Sequence, residues 1–173
     1  GDDADALDTK VPTHSVQLIV TSPPYLESVD YMYNAMLEYF WLGPLLGVQN
    51  RVALNDLRKR QIGSRRPHEK SQVPGPLRDQ VDPAKLPAWR RAGAVSYFEK
   101  MHAHFAEASR VLEDGGRYVL VVGNSQTQLS TLPVHDCLTR LAASSNNGRM
   151  TSFLVEPMSP ALARAAFWIS FLT

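Results

Sequence analysis

Apolar residues recur along this chain at two different periods, and the changes of period mark its elements. Val16, Leu18, Ile19 and Val20 form a short apolar run between the polar stretch Pro12–Ser15 and a pair of prolines, which predicts a buried strand over Val16–Val20. Helical spacing then takes over. Met32, Met36, Tyr39, Phe40 and Leu46 lie near three and four apart and predict a helix over Tyr31–Leu46, closed by Gly43-Pro44 and Gly47. From 47 to 94 the regular pattern fades. Prolines at 67, 74, 76, 83 and 87, with glycines at 63 and 75, describe an irregular insertion, broken by a short helix around Leu54–Gln61.

Order resumes at Val95–Leu112, where Phe98, Met101, Phe105, Ala108 and Leu112 make one core-facing helical stripe. Asp114-Gly115-Gly116 is expected to end that helix, and Tyr118–Val122 to form a strand terminated by Gly123-Asn124-Ser125. Leu132–Ala143 has helical character, Asn146-Asn147-Gly148 is a turn, and Met150–Val155 is a further strand. Strand, helix, helix, strand, helix, strand implies an α/β domain with a mainly parallel sheet. In such sheets ligands lie beyond the carboxyl ends of the strands, where Ser22–Tyr25 and Gly123–Ser125 both fall.

Composition narrows the picture only a little. The 173 residues fit one domain of ordinary size, and 44% hydrophobic with 20% charged is that of a globular chain. The formal charge of +1 conceals an asymmetry: seven basic and two acidic residues lie between Arg51 and Lys70, so that segment is +5 and the rest −4. That imbalance suits either an anionic partner or a solvated charged loop. One cysteine, Cys137, excludes an internal disulfide and sits in a helical stretch as a small core residue. His102 and His104 are two apart, hence on different helix faces, and no metal-ligand spacing occurs, so no metal is assigned. No apolar run approaches a membrane span, and the acidic Gly1-Asp2-Asp3-Ala4-Asp5 is unlike a signal peptide, so a cytoplasmic protein is expected. The apolar ending Ala161–Leu172 and a start in mid-pattern suggest a piece of something larger.

The chemistry concentrates at Ser22-Pro23-Pro24-Tyr25. Two prolines fix φ twice and remove two backbone donors, so the strand stops there. A carbonyl beside a proline ring lacks a ladder partner and is available to a ligand. Ser22 adds a hydroxyl acceptor, and Tyr25 a flat face with a polar tip. Acceptors beside an aromatic plate suit a planar ring carrying an exocyclic amine, which describes a nucleobase. Tyr39, Phe40 and Trp41 are read as helix and core packing, Asp30 as favouring a helix start, and Asn124 as either a ligand contact or a turn former.

The strand with Ser22–Tyr25, followed by Asp30-Tyr31 and Glu38-Tyr39-Phe40-Trp41-Leu42-Gly43, resembles the S-adenosylmethionine-dependent amino-methyltransferases of DNA. Leu57-Arg58, Ile62-Gly63-Ser64 and the run Arg110–Leu112 through Gly115–Ser125 also look like that family, and the likeness spans roughly Gly1 to Val155. It implies a Rossmann-like class I methyltransferase sheet with helices on both faces, and site-specific methylation of cytosine N4 ahead of adenine N6, since Ser stands first in the motif. Ser22, Pro23, Pro24 and Tyr25 then become the catalytic residues, acting on a base flipped out of double-stranded DNA. Asp2 would contact the cofactor's adenine, and Arg58, Lys59, Arg60, Arg65 and Arg66 would hold phosphates. The family's Phe-x-Gly-x-Gly turn, which receives the methionine part of the cofactor, is not found. The expectation is therefore a partial catalytic domain, with the remainder of the methyltransferase as a partner. Methylation of an RNA base amine, or a non-catalytic nucleic-acid-binding remnant, are the alternatives.

Overall fold

A computed structural model describes residues 5–26, 34, 36–45, 47–48, 50–64, 67, 70–122, 132–145 and the backbone of 152–157. Its elements are strand β1 (Val16–Thr21), helices α1 (Met36–Leu42), α2 (Arg51–Arg60) and α3 (Ala88–Val111), strand β2 (Leu112–Val122), helix α4 (Val134–Ser145) and strand β3 (Ser152–Pro157). The three strands form a parallel sheet in the order β1-β2-β3. The expected α/β class with a parallel sheet is what the chain adopts.

Alternation along β2 sets the two faces of the sheet. Tyr118, Leu120 and Val122 are buried, and α3 and α4 pack on that side with Phe98, Met101, Phe105, Leu138 and Leu141. The stripe read from the α3 sequence is therefore the core stripe. Phe105 sits edge-on to Tyr118 at 5.8 Å between ring centroids, a favoured aromatic geometry. On the opposite face Leu18 and Val20 of β1 are 55% and 63% exposed. The expectation of a buried β1 is corrected: no residue of the strand is buried, and Val16 and Ile19 are half-buried against the core. Likewise, among the described residues the packed helices lie on one face of the sheet, not on both.

Other boundaries shift for identifiable reasons. Helix α3 begins at Ala88, behind Pro87, rather than near Val95. It ends at Val111, ahead of the expected stop, and Asp114-Gly115-Gly116 belongs to β2 instead of ending the helix. Gly115 has φ +84°, and the β1–β2 register slips between Val16 and Leu18, so the irregularity is absorbed inside the ladder as a bulge. Leu77 and Val81, within the Pro-rich stretch read as an insertion, are buried in the same core. Cys137 is buried there too, and burial pushes its thiol up to about 11. No described helix is long and apolar enough to cross a membrane.

The segment before β1 is clamped onto the end of α3. His14 and Ser15 N–H groups donate to the carbonyls of Arg110 and Val111, which the helix leaves without intrahelical partners. Glu107 accepts from the backbone and hydroxyl of Thr9 (2.8 and 2.6 Å) and from Arg110 (2.7 Å through both Nε and Nη2). Arg110 also donates to Thr13 Oγ1 and to the carbonyls of Thr9 and Val11. About one helical turn before Glu107, the Tyr118 hydroxyl lies 2.7 Å from His104 Nε2, and His104 Nδ1 lies 3.0 Å from the Ala6 carbonyl. A carbonyl can only accept, so the proton sits on Nδ1 and Tyr118 donates to Nε2. Burial holds the His104 pKa below its ordinary value.

The Arg110 hydrogen bond, joined by those from Thr9 and opposed by burial, holds the Glu107 carboxyl at about 2, below its ordinary 4.5. A folded-state pKa below the unfolded one means that the unfolded chain takes up the proton more readily. The clamp's contribution should thus be complete above pH 4.5 and fade as pH falls towards 2. Urea midpoints measured from pH 5 to 2.5 should fall, and Glu107→Gln should flatten that decline. An equally steep decline in the variant would assign it to other carboxylates.

Candidate functional site

The strand β1 ends where its residues dictate. Thr21 makes the last pairing, with Leu120, and Pro23 and Pro24 cannot donate to a further rung. All three strands run the same way, so Ser22–Tyr25 stands on the rim formed by their carboxyl ends. The turn alternates between anchorage and display. Pro23 and Leu26 are buried, Pro24 and Tyr25 are half-buried, and Ser22 is exposed. Tyr25 packs against the core, and its hydroxyl lies 3.0 Å from Ser22 Oγ, which closes the tetrapeptide side chain to side chain. A serine hydroxyl carries one proton and two lone pairs, so this bond leaves Ser22 with accepting capacity towards solvent.

A second segment supports the turn from outside it. Gly63 has φ +86°, and a Cβ placed there would meet the Tyr25 carbonyl at 3.4 Å and Pro24 Cβ at 3.7 Å. The turn Gln61–Ser64, closed by Ser64 N–H to the Gln61 carbonyl at 3.3 Å, therefore lies directly against the backbone of Pro24-Tyr25. Reasoning from sequence gave Gly63 no part in the site; a glycine just past a basic helix end was the available signal. Gly63→Ala should cost about 1–2 kcal/mol because only glycine adopts a positive φ without strain. Thermal unfolding checks this, and an unchanged midpoint would refute the left-handed backbone conformation at Gly63.

That turn is the continuation of α2. Asn50 caps the helix, its side chain accepting from Val52 and Ala53 N–H at 3.0 and 2.9 Å. Arg58, Lys59 and Arg60 occupy the last turn, where cations complement the helix dipole. Lys100 of α3 closes the end, with Nζ donating to the carbonyls of Arg60 (2.6 Å) and Gln61 (3.3 Å). The three basic residues thus stand within a few residues of the contact between Gly63 and Tyr25. The structure brings the predicted phosphate-binding turn and the predicted base-binding turn together, although they lie more than thirty residues apart in the chain. Arg65, Arg66, Asp2 and Gly123–Ser125 lie outside the described residues.

The cofactor expectation finds no support in the glycines that are described. Gly116 lies beside the Gln17 carbonyl, at the start of β1 and on the rim opposite Ser22. A Cβ on Gly116 would come within 2.9 Å of the Glu113 carbonyl and 3.0 Å of Leu112 Cδ2, so that glycine serves packing within the bulge. Neither glycine stands on the carboxyl rim with Ser22.

The reading of Phe40 and Trp41 as core packing is overturned. Helix α1 has no buried residue, and these two rings are 82% and 79% exposed. Among the described residues no group of three His, Cys, Asp or Glu side chains could hold a metal ion. Compared with models of protein families, with curated proteins and with solved structures, the chain matches none.

Proposed function

We propose that this chain carries the base-accepting part of a class I, S-adenosylmethionine-dependent methyltransferase that modifies an exocyclic amine of DNA, cytosine N4 ahead of adenine N6. The observation that carries the reading is the display of Ser22 on the carboxyl rim of a parallel sheet, its hydroxyl tied to Tyr25 above two prolines. An exocyclic amine is a weak nucleophile because its lone pair is delocalised into the ring. Hydrogen bonds from its two N–H groups, one to Ser22 Oγ and one to the Pro23 carbonyl, would favour a more tetrahedral nitrogen and free the lone pair. That is catalysis by positioning and by oriented dipoles. Tyr25 would stack on the flipped base, and Arg58, Lys59 and Arg60 would hold the flanking phosphates. The cofactor, when bound, supplies the methyl group; none of the described residues is assigned to it.

The alternative is a binding remnant that accepts a base without modifying it. A radiolabel assay with S-adenosylmethionine and mixed-sequence duplex DNA, followed by nucleoside analysis, separates the two. The methyltransferase reading expects N4-methylcytosine or N6-methyladenine. Binding without transfer would favour the remnant, and neither binding nor transfer to DNA or RNA would defeat both.

A further inference from the structure

The turn Gln61–Ser64 touches more than Pro24 and Tyr25, and its other neighbours belong to helix α3. A Cβ on Gly63 would stand 4.0 Å from Cδ2 of Tyr97, a core ring that is 1% exposed. Lys100 follows three residues later, hence on the same face of the helix. It is half-buried, and its Nζ donates to the Arg60 carbonyl at 2.6 Å and the Gln61 carbonyl at 3.3 Å, forty and thirty-nine residues away in sequence. Ile62 packs against the core between these attachments. The turn is therefore held at Arg60–Gln61 by an ammonium group and at Gly63 by a buried ring, both carried on one 24-residue helix.

The carbonyls at the end of a helix have no intrahelical partners, and water can satisfy them. Water cannot fix where that end stands. A charged donor on a second helix does both, and it bonds more strongly than a neutral one. From Lys100 the contacts run on without a break. Arg60 and Gln61 lead to Gly63, Gly63 lies against the Tyr25 carbonyl, and the Tyr25 hydroxyl meets Ser22 Oγ at 3.0 Å. We infer that Lys100 is a positioning residue for the base-accepting turn. By tying the end of α2 to α3 it keeps Gln61–Ser64 against the backbone of Pro24-Tyr25, and so holds Tyr25 and Ser22 in the orientation that a base must meet. The inference rests on the methyltransferase reading for the base as ligand, whereas the mechanical link stands on the contacts alone.

The test compares the whole chain with Lys100→Met, which keeps the length of the side chain and removes its donors, and with Lys100→Arg, which keeps a cation. Hydrogen exchange read by mass spectrometry should quicken about 2- to 10-fold in Lys100→Met over both Gln61–Ser64 and Thr21–Leu26, the worth of one hydrogen bond, while β2 exchanges as in the parent. With S-adenosylmethionine and mixed-sequence duplex DNA, kcat should fall about tenfold with KM little changed, since small misplacements of a positioned group are costly. Lys100→Arg should restore most of both. Faster exchange confined to Gln61–Ser64 would make Lys100 a cap for α2 and nothing more, and would overturn the inference. Faster exchange throughout the chain, or none anywhere, would overturn it equally. An unchanged kcat beside linked exchange would sink the positioning role and leave the methyltransferase reading intact. Linked exchange in a chain whose parent transfers no methyl group would sink that reading and uphold the link from Lys100 to Tyr25.

Discussion

Ser22→Ala is expected to lower methyl transfer about 10²–10³-fold while leaving the unfolding midpoint where it was. The magnitude is that of removing one preorganised hydrogen-bonding group aimed at a changing charge. The stability half follows from exposure: Ser22 faces solvent, so deleting its hydroxyl opens no cavity, and the Tyr25 hydroxyl can turn to water. The loss should appear in kcat more than in KM, because the acceptor matters most as the amine becomes tetrahedral. Tyr25→Phe keeps the stacking face and removes only the polar tip, and should fall far less, within about tenfold of the parent by the worth of one neutral hydrogen bond. Full activity in Ser22→Ala would end the proposed role. A loss matched by a collapse of the thermal midpoint would instead make Ser22 a structural residue.

Phe105→Ala should remove about 3–5 kcal/mol of folding stability, the usual range for a fully buried aromatic. Phe105 is wholly buried, packs edge-on against Tyr118, and lies between α3 and the inner face of β2. Its loss leaves a void next to the His104–Tyr118 hydrogen bond, which close packing cannot easily refill. Urea denaturation measures the effect, with Phe40→Ala as an internal contrast. That residue is of the same type but largely exposed, and should change stability by no more than about 0.5 kcal/mol. A cost below about 1 kcal/mol for Phe105→Ala would refute the packing of α3 on the sheet.

The same pair of phenylalanines marks how far the sequence could be read. Phe105 belongs to a stripe at helical spacing, and Phe98, Met101, Ala108 and Leu112 of that stripe are all buried as the period requires. Strand β1 and its proline stop were equally legible, because an apolar run followed by two fixed φ angles is a purely local signal. Phe40 and Trp41 were misread since hydrophobicity states what gains from burial, not whether a covering surface exists. Asp114-Gly115-Gly116 was expected to end the helix because a Gly-Gly pair looks the same whether it stops a helix or slips the register of a strand. Within the site, Ser22–Tyr25 was visible because its chemistry is packed into four consecutive residues. Gly63 and Lys100 were not, since each acts through a backbone contact with a segment distant in sequence. Leu77 and Val81 joined the core from a Pro-rich stretch whose local pattern carries no periodicity.

The parallel pairing of β1 with β2 also has a consequence in time. Val16 finds its partner only at Leu112, so almost a hundred residues must be synthesised before the first rung can close. At ordinary translation rates that is a wait of roughly 5–20 s. Throughout it the segment Val16–Thr21, β-branched and without a charge, has its backbone donors and acceptors open on both edges. Such a strand is a template for pairing with other copies of itself. The yield of folded protein should therefore depend on how crowded the nascent chains are, and slowing synthesis relative to folding should not shorten the interval, because the missing partner lies on the far side of it.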